Sequence, residues 1–460
     1  MRIIPEIQIT LDEIKSATHA AASYENDAVI GAIVTNSKEA LPGDLFVALP
    51  GEKKCGEDFI EDAIARGAYV MSSRFNTADL FVSDSYLAIL DLARYYKIKL
   101  PSLKKTVAIT GSVGKTTTKN VLTKMLSICH KVHSTEENYN NFLGLFHTIL
   151  TTPRDTEVLI AEIGMNHLGE ISCLSRALHP DISIITNIGS SHIGNLGSRK
   201  LIATAKLEIL DGMTSPKLIV PKEEVLLSEI IGRYTVSLED ITADTCVMEK
   251  ELKSTCSLVD IYTAYGKLPM QKISLPGRHI ISAIAFSVET MVLLEVGIDK
   301  IERSLKSLCG TSTRGKFIDI GDLTVYDDTY SSSKEAVLSD FELLSLYKGR
   351  TKSCVLGDML ELGEYAESMH TDIGRAAVKY GFEKIFAFGN YSPFIKAGAM
   401  GAGLSEDKIF VNTDITNPEH TAKQILNSYT SGEIILFKAS HDIHAERIIE
   451  ILTSLIKSKK

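Results

Sequence analysis

The sequence predicts an α/β protein of three domains: a small N-terminal α/β domain (1–100), a central P-loop parallel-sheet ATPase domain with a β insertion (101–312) and a C-terminal Rossmann-like domain (313–460). Three observations carry this expectation. A chain of 460 residues is too long for one ordinary hydrophobic core. Short apolar runs alternate with helical periodicity along most of its length, the pattern of parallel sheets covered by helices. The stretch Val107-Ala-Ile-Thr-Gly111-Ser-Val-Gly114-Lys115-Thr116-Thr117-Thr118 reads as a buried strand, a glycine loop and the start of a helix.

The elements follow in order. In the first hundred residues, Val29 to Val34, Leu45 to Leu49 and Ala68 to Met71 read as strands around a helix from Glu57 to Arg66, with Pro42-Gly and Pro50-Gly51 as turns. A helix from Ser85 to Tyr96, followed by Pro101, marks a boundary. The helix after the glycine loop spans Thr117 to Ser127, and an amide-rich stretch from Ser134 to Gly144 follows. Strands ending in Glu162-Ile-Gly164 and in Asn187-Ile-Gly189 put polar groups just past their carboxyl ends, where open α/β sheets hold ligands. Ser198 to Leu210 reads as an amphipathic helix, Leu218 to Leu275 as a mostly β insertion, and Ile280 to Glu295 as a long helix returning to the sheet. Beyond Thr311-Ser-Thr-Arg314-Gly a new run begins. Its strands are Leu323 to Asp328, Lys352 to Leu356, Lys384 to Phe388 and Glu433 to Lys438, and its helices are Ser333 to Leu346, Ser368 to Tyr380 and Glu419 to Tyr429. It lacks Gly-x-Gly-x-x-Gly and so need not hold a dinucleotide.

Composition narrows the function. A net charge of −9 argues against a nucleic-acid scaffold. The most apolar segment, Ser282 to Val296, is interrupted by Glu289 and Glu295, so no bilayer span is expected, and the N-terminus lacks the apolar run of a signal peptide. A cytoplasmic protein is the expectation. Its seven scattered cysteines read as reduced thiols without a zinc site.

The glycine loop is read as a phosphate cradle. Gly111 and Gly114 let the backbone of Gly111, Ser112, Val113 and Gly114 curl around one centre, and the helix start at Lys115, Thr116 and Thr117 adds partial positive charge. Lys115 would reach the outer phosphates and Thr116 would ligand magnesium. Ala108 stands where the full motif has its first glycine, leaving Gly-x-x-Gly-Lys-Thr. Other residues stay open on spacing alone. Glu162 reads equally as a magnesium ligand or a solvated strand-end acid, and His192 by itself as a surface histidine. Lys206 reads as an exposed helical lysine, and Arg314 evenly as a linker cation or a group that a hinge swings onto phosphate.

In this order the motifs resemble the Mur ligase superfamily, and within it the UDP-N-acetylmuramoyl-tripeptide:D-alanyl-D-alanine ligase (MurF-type) branch. The resemblance runs through Pro42-Gly-Asp-Leu-Phe-Val-Ala-Leu with Gly51-Glu52, Thr110 to Lys119, Asn140-Asn141 with Gly144, Ala161-Glu162-Ile-Gly164, Asn187-Ile188 and Ile202-Ala-x-Ala-Lys206. It continues through Asp327-Asp328-x-Tyr330 and Gly357-Asp-Met-Leu-Glu-Leu-Gly-Glu364. It implies ATP and magnesium as cofactors, a carbamylated Lys206, and Glu162, His192 and Lys206 as ligands of a second metal ion beside the Thr116 site. It also implies Arg314 and Asp328 against ATP, with Lys115, Lys206, His192 and Arg314 as the catalytic group. A UDP-muramoyl peptide and D-Ala-D-Ala would be the substrates, met by Ser37, Asn140, Asn141, Ser440 and His441. The implied enzyme is a monomeric ligase of peptidoglycan precursors, with no nucleic-acid partner and no membrane insertion.

The sequence also departs from the family pattern. After Gly277 it runs Arg278-His279-Ile280 where the family has His-Asn, and Ser331-Ser332-Ser333-Lys334 replaces Asn-Ala-Asn-Pro. Lys438-Ala-Ser-His441 replaces Lys-Gly-Ser-Arg, and Asn36-Ser37-Lys38 replaces Asp-Ser-Arg. The changes remove amides near the nucleotide and the planar fork of arginine at two anion-binding positions.

Overall fold

The computed structural model describes residues 1–22, 27–51, 54–74, 78–308 and 315–458. Three sheets account for its strands. The N-terminal sheet has a parallel centre, Ile33–Val34, Leu45–Val47, Tyr69–Ser72 and Leu80–Phe81, with the antiparallel edges Arg2–Ile3 and Ala21–Ala22. The strand expected from Val29 is shorter than the apolar run suggested. Ahead of Ile33, the Gly31 N–H donates to the Gly43 carbonyl at 3.0 Å, in a turn contact outside the ladder.

The central sheet has nine strands. From one edge they are Val132–Ser134, Val158–Glu162, Lys105–Thr110, Ile182–Ile185, Leu218–Pro221, Tyr234–Ser237, Thr245–Leu252, Ser257–Thr263 and Gly266–Ile273. The first seven run parallel and the last two antiparallel. The segment 218–275 is therefore no insertion. Its strands continue the central sheet by parallel pairing from Ile182–Ile185 outward, and helix Arg278–Leu293 covers them. The helix buries a nearly continuous face from Ile280 to Met291, which is why its sequence looked apolar enough to raise the membrane question.

In the C-terminal sheet Ile409–Asn412, Lys384–Phe388, Lys352–Gly357, Ile434–Lys438 and Leu323–Asp328 run parallel, and Lys316–Ile320 closes one edge antiparallel. That edge strand was not expected: four of its five side chains are exposed, so it carries no burial pattern.

Helix Ser85–Ile98 ties the first unit to the second by packing on helices Phe142–Leu150 and Glu170–Leu178. The Tyr96 hydroxyl accepts from the Ile7 N–H at 2.5 Å, and Lys97 Nζ donates to the His179 carbonyl at 3.1 Å at the end of Glu170–Leu178. The consequence for function lies in the topology. The chain passes from strand Lys105–Thr110 to the edge strand Val132–Ser134, returns through Val158–Glu162 and crosses to Ile182–Ile185 on the other side of Lys105–Thr110, and ligands collect at the carboxyl ends beside such a reversal. The carboxyl ends of three C-terminal strands, at Asp328, Lys438 and Gly357, face it across a cavity.

Candidate active site

The loop at the reversal is shaped by its neighbours. Gly111 has φ +149°, and a Cβ there would stand 1.8 Å from Thr186 Oγ1, so a side chain would push the loop off the adjoining strand end. The Thr186 hydroxyl donates to the Val113 carbonyl at 2.5 Å, and the Gly189 N–H donates to Ser112 Oγ at 2.9 Å. The N–H groups of Ser112 and Val113, expected to face phosphate, donate to Asn187 Oδ1 at 3.0 and 2.9 Å. Gly114, with φ +85°, caps helix Lys115–Leu126 without a side-chain acceptor, the form in which a helix start serves an anion. Lys115 Nζ turns back to donate to the Gly111 carbonyl at 2.8 Å.

Glu162 ends its strand fully buried, which removes the reading of a solvated acid. Its Oε2 accepts from the Thr116 hydroxyl and its Oε1 from Asn140 Nδ2, both at 2.9 Å. Its N–H donates to Thr135 Oγ1 at 3.0 Å. Buried Lys119 holds the same amide-rich segment down, donating to the carbonyls of Thr135 at 2.5 Å and Glu137 at 3.2 Å. Asn141 acts on the backbone instead. Its Oδ1 accepts from the Gly144 N–H at 2.9 Å and caps helix Phe142–Leu150.

Lys206 is where the expected exposure fails. It sits on helix Arg199–Leu207 but is 2% exposed and lines the cavity, because this helix packs among helices Glu170–Leu178 and Ile193–Leu196 and the turn Glu208–Gly212. Among the described residues its Nζ has no hydrogen-bond or ion-pair partner. Burial, and then the charge of Lys115, hold its pKa well below the ordinary lysine value. His192, in the left-handed region with φ +62°, follows the strand end at Asn187, and its Nδ1 lies 2.5 Å from Glu361 Oε2.

The opposite wall is C-terminal. Lys438, 2% exposed, is paired with Asp328 and lies 3.1 Å from Asp340 Oδ2. Burial works against the Lys438 charge, but the two carboxylates raise its pKa, while burial drives Asp340 upward. His279, facing the same group, is pushed down to about 4 by burial and stays neutral. Ser440 Oγ accepts from the Leu360 N–H at 3.0 Å, and exposed His441 lies beside Tyr330 with ring centroids 5.5 Å apart.

Lys115, Thr117, Asn140, His192, Lys206, Asp328, Ser440 and His441 line one cavity of about 380 Å³ between the two sheets. A second space of about 610 Å³ shares Asn138, Asp328, Tyr330 and His441 with it and reaches Thr116 and Lys119. Ser37 lies elsewhere, buried in the N-terminal turn Ser37–Glu39 with its hydroxyl on Asp62. Arg314, Glu52 and Cys309 fall outside the described residues. The sequence reading missed Lys119, His279, Glu361 and Lys438 as site groups, and Glu335 as the partner of Ser190 beside the cavity. Glu361 and Lys438 stood inside the family motifs and were legible there. Glu335, in the first turn of an amphipathic helix, gave no signal.

Among the described residues no group of three His, Cys, Asp or Glu side chains converges on a metal position. A divalent ion at Thr116 would therefore depend on its hydroxyl, and a second ion on Glu162, His192 and Lys206 made anionic. A buried lysine amine beside Lys115, its pKa lowered and without a partner among the described residues, fits that conversion, since only the uncharged amine adds carbon dioxide.

Comparison with known proteins agrees with this arrangement. Residues 109–290 match the Mur ligase middle domain. The UDP-N-acetylmuramoyl-tripeptide–D-alanyl-D-alanine ligase of Bacillus subtilis is 31% identical over 451 residues, covering 96% of each chain. The chain belongs to the MurF ligase family. The Escherichia coli member is 28% identical, covering 97% of this chain and 98% of its own. The structure superposes on MurF from Acinetobacter baumannii with a TM-score of 0.87 at 26% identity, over 98% of this chain and all of that one. On the ADP complex of Thermotoga maritima MurF the TM-score is 0.80, again at 26% identity, over 93% and 98%. The MurF fold thus holds over 98% of the chain.

Proposed function

We infer that the protein is an ATP-dependent amide ligase that joins D-alanyl-D-alanine to UDP-N-acetylmuramoyl-tripeptide in peptidoglycan precursor synthesis. The observation that supports it is the convergence of the glycine loop, Lys115, buried Lys206 and the C-terminal Asp328, Ser440 and His441 on one cavity, with the Thr116–Glu162 pair at the start of the loop helix. The terminal carboxylate of the tripeptide attacks the γ-phosphorus of ATP, the bond to ADP breaks, and an acyl phosphate results. The dipeptide amine then attacks the acyl carbon, loses a proton and displaces phosphate.

The chain's own groups do three things in this reading. Lys115, released from the Gly111 carbonyl, and Arg314 spread the negative charge of the transferring phosphoryl group. Thr116 would hold one magnesium ion, and Glu162, His192 and carbamylated Lys206 a second; the ions would supply Lewis-acid charge to the phosphoryl oxygens. Asp328 meets the nucleotide, and Ser440 and His441 meet the dipeptide. The closed cavity keeps water from the acyl phosphate. Ser37 serves the UDP-sugar in the N-terminal domain (1–100). The central domain (101–312) carries ATP, and the C-terminal domain (313–460) brings the acceptor. Among the described residues no helix is long and apolar enough to cross a membrane, and we place the reaction in the cytoplasm with a monomeric enzyme.

The test is phosphate release by purified protein with ATP, magnesium and the UDP-muramoyl tripeptide, with and without D-Ala-D-Ala, while the product mass is followed. Dipeptide-dependent release yielding the pentapeptide is expected. Release with another amine would move the acceptor, the change that histidine in place of arginine at 441 would explain. ATP binding with no turnover for any amine would overturn the reading in favour of a non-catalytic paralogue.

A further inference from the structure

The most elaborate contact between the central and C-terminal units is made on the loop that carries His192. Glu361 grips it twice: its carboxylate Oε2 is 2.5 Å from His192 Nδ1, and its carbonyl accepts from the Gly194 N–H at 2.9 Å. Glu361 is itself in the left-handed region, φ +61°, and the residues around it are pinned one by one. Asp358 accepts from the N–H groups of Asn390 and Tyr391 at 2.8 and 3.0 Å. The Met359 N–H donates to His370 Nε2 at 2.9 Å, and the Leu360 N–H to Ser440 Oγ at 3.0 Å. The Glu361 carboxylate is thus presented by a rigid segment of the C-terminal unit.

Resting on the reading of His192 as a metal ligand, we propose that Glu361 is a positioning residue through which docking of the C-terminal unit orients His192. The charge of a carboxylate 2.5 Å from Nδ1 favours the proton on that nitrogen, although the pair is not aligned as a hydrogen bond. Nε2 is left as the unprotonated nitrogen available to a cation in the cavity that His192 lines with Lys115 and Lys206. The central unit alone then holds an incomplete cation site. Docking completes it, so phosphoryl transfer is matched to the presence of the C-terminal wall with Ser440 and His441. A second contact on the same loop separates docking from orientation. Glu335 holds Ser190, accepting from its N–H at 2.9 Å and its hydroxyl at 3.0 Å, with no contact to His192.

The test titrates Mn²⁺ into full-length protein by electron paramagnetic resonance, comparing wild type with Glu361→Gln, Glu335→Gln and His192→Ala. Histidine tautomers are read in parallel by ¹⁵N NMR. Expected is a roughly 10- to 100-fold weaker Mn²⁺ site in Glu361→Gln, the scale for losing such a partner, with His192 no longer confined to the Nδ1–H tautomer. Glu335→Gln should keep the tautomer and most of the affinity. Wild-type affinity and tautomer in Glu361→Gln would overturn the proposal while leaving the metal reading intact, provided His192→Ala weakens the site. Equal losses in Glu335→Gln and Glu361→Gln would overturn it in favour of docking alone. A wild type that binds no Mn²⁺ would overturn the metal reading and this proposal together.

Discussion

Lys206 and Lys115 line the same cavity with opposite prospects. Lys115 keeps a carbonyl partner and a place at the loop mouth, so its charge is available to phosphate. Lys115→Ala should lower kcat for ligation by about 10²–10³, the scale for removing one preorganised charge-stabilising donor, with folding unchanged by circular dichroism. Burial and the charge of Lys115 push the Lys206 pKa down, toward the uncharged amine. Protein equilibrated with ¹³C-bicarbonate should therefore show a carbamate carbonyl resonance that Lys206→Met lacks. An identical spectrum for the two proteins would count against carbamylation. Sequence could place both residues in a motif but not distinguish their surroundings, because periodicity on Arg199–Leu207 does not say which helix face its neighbours will cover.

Among the elements, helix Arg278–Leu293 shows how burial alone creates a titrating group. Glu289, 2% exposed, accepts from the Thr245 hydroxyl at 2.6 Å, and burial raises its pKa to about 7 from an ordinary 4.5. The folded state therefore binds this proton more tightly than the unfolded state. Its stabilising effect is complete below pH 4.5 and is lost as pH rises through about 7. Glu289→Gln should flatten that dependence and gain about 2–3 kcal/mol at pH 8 over wild type, measured as the shift in urea midpoint between pH 5 and pH 8. The same glutamate in the sequence argued correctly against a membrane span, yet nothing there indicated a buried acid. Strand boundaries were legible where burial was two-sided, as at Lys384–Phe388, and invisible in the exposed edge strand Lys316–Ile320.

At the scale of the molecule, two sheets present the carboxyl ends of their strands to each other, and a small residue lets them meet. A Cβ on Gly194 would come within 2.5 Å of the Gly363 nitrogen and 2.6 Å of the Glu361 carbonyl oxygen. Gly194→Ala should force the C-terminal unit away from the His192 loop. Small-angle scattering should then give a larger radius of gyration, and kcat/KM should fall while each unit keeps its secondary structure. Unchanged scattering with full activity would show that the contact yields without consequence. Tyr365, donating its hydroxyl to the Gly197 carbonyl at 3.2 Å, belongs to the same contact, so Tyr365→Phe should act in the same direction and more weakly.

By itself the sequence determined the α/β class, the glycine loop and the order of motifs, since apolar periodicity, glycine spacing and the strand-end polar groups are local properties of the chain. It also held Glu361 and Lys438 inside its motifs without saying what they touch. Only the tertiary structure decided that Lys206 is buried and unpartnered, that Glu162 joins Thr116 and Asn140, that Asn141 caps a helix, and that residues 218–275 extend the central sheet. Those outcomes depend on which faces meet when segments far apart in the chain pack together. A side chain's solvation, and with it its charge and chemistry, is set by neighbours that local sequence does not contain.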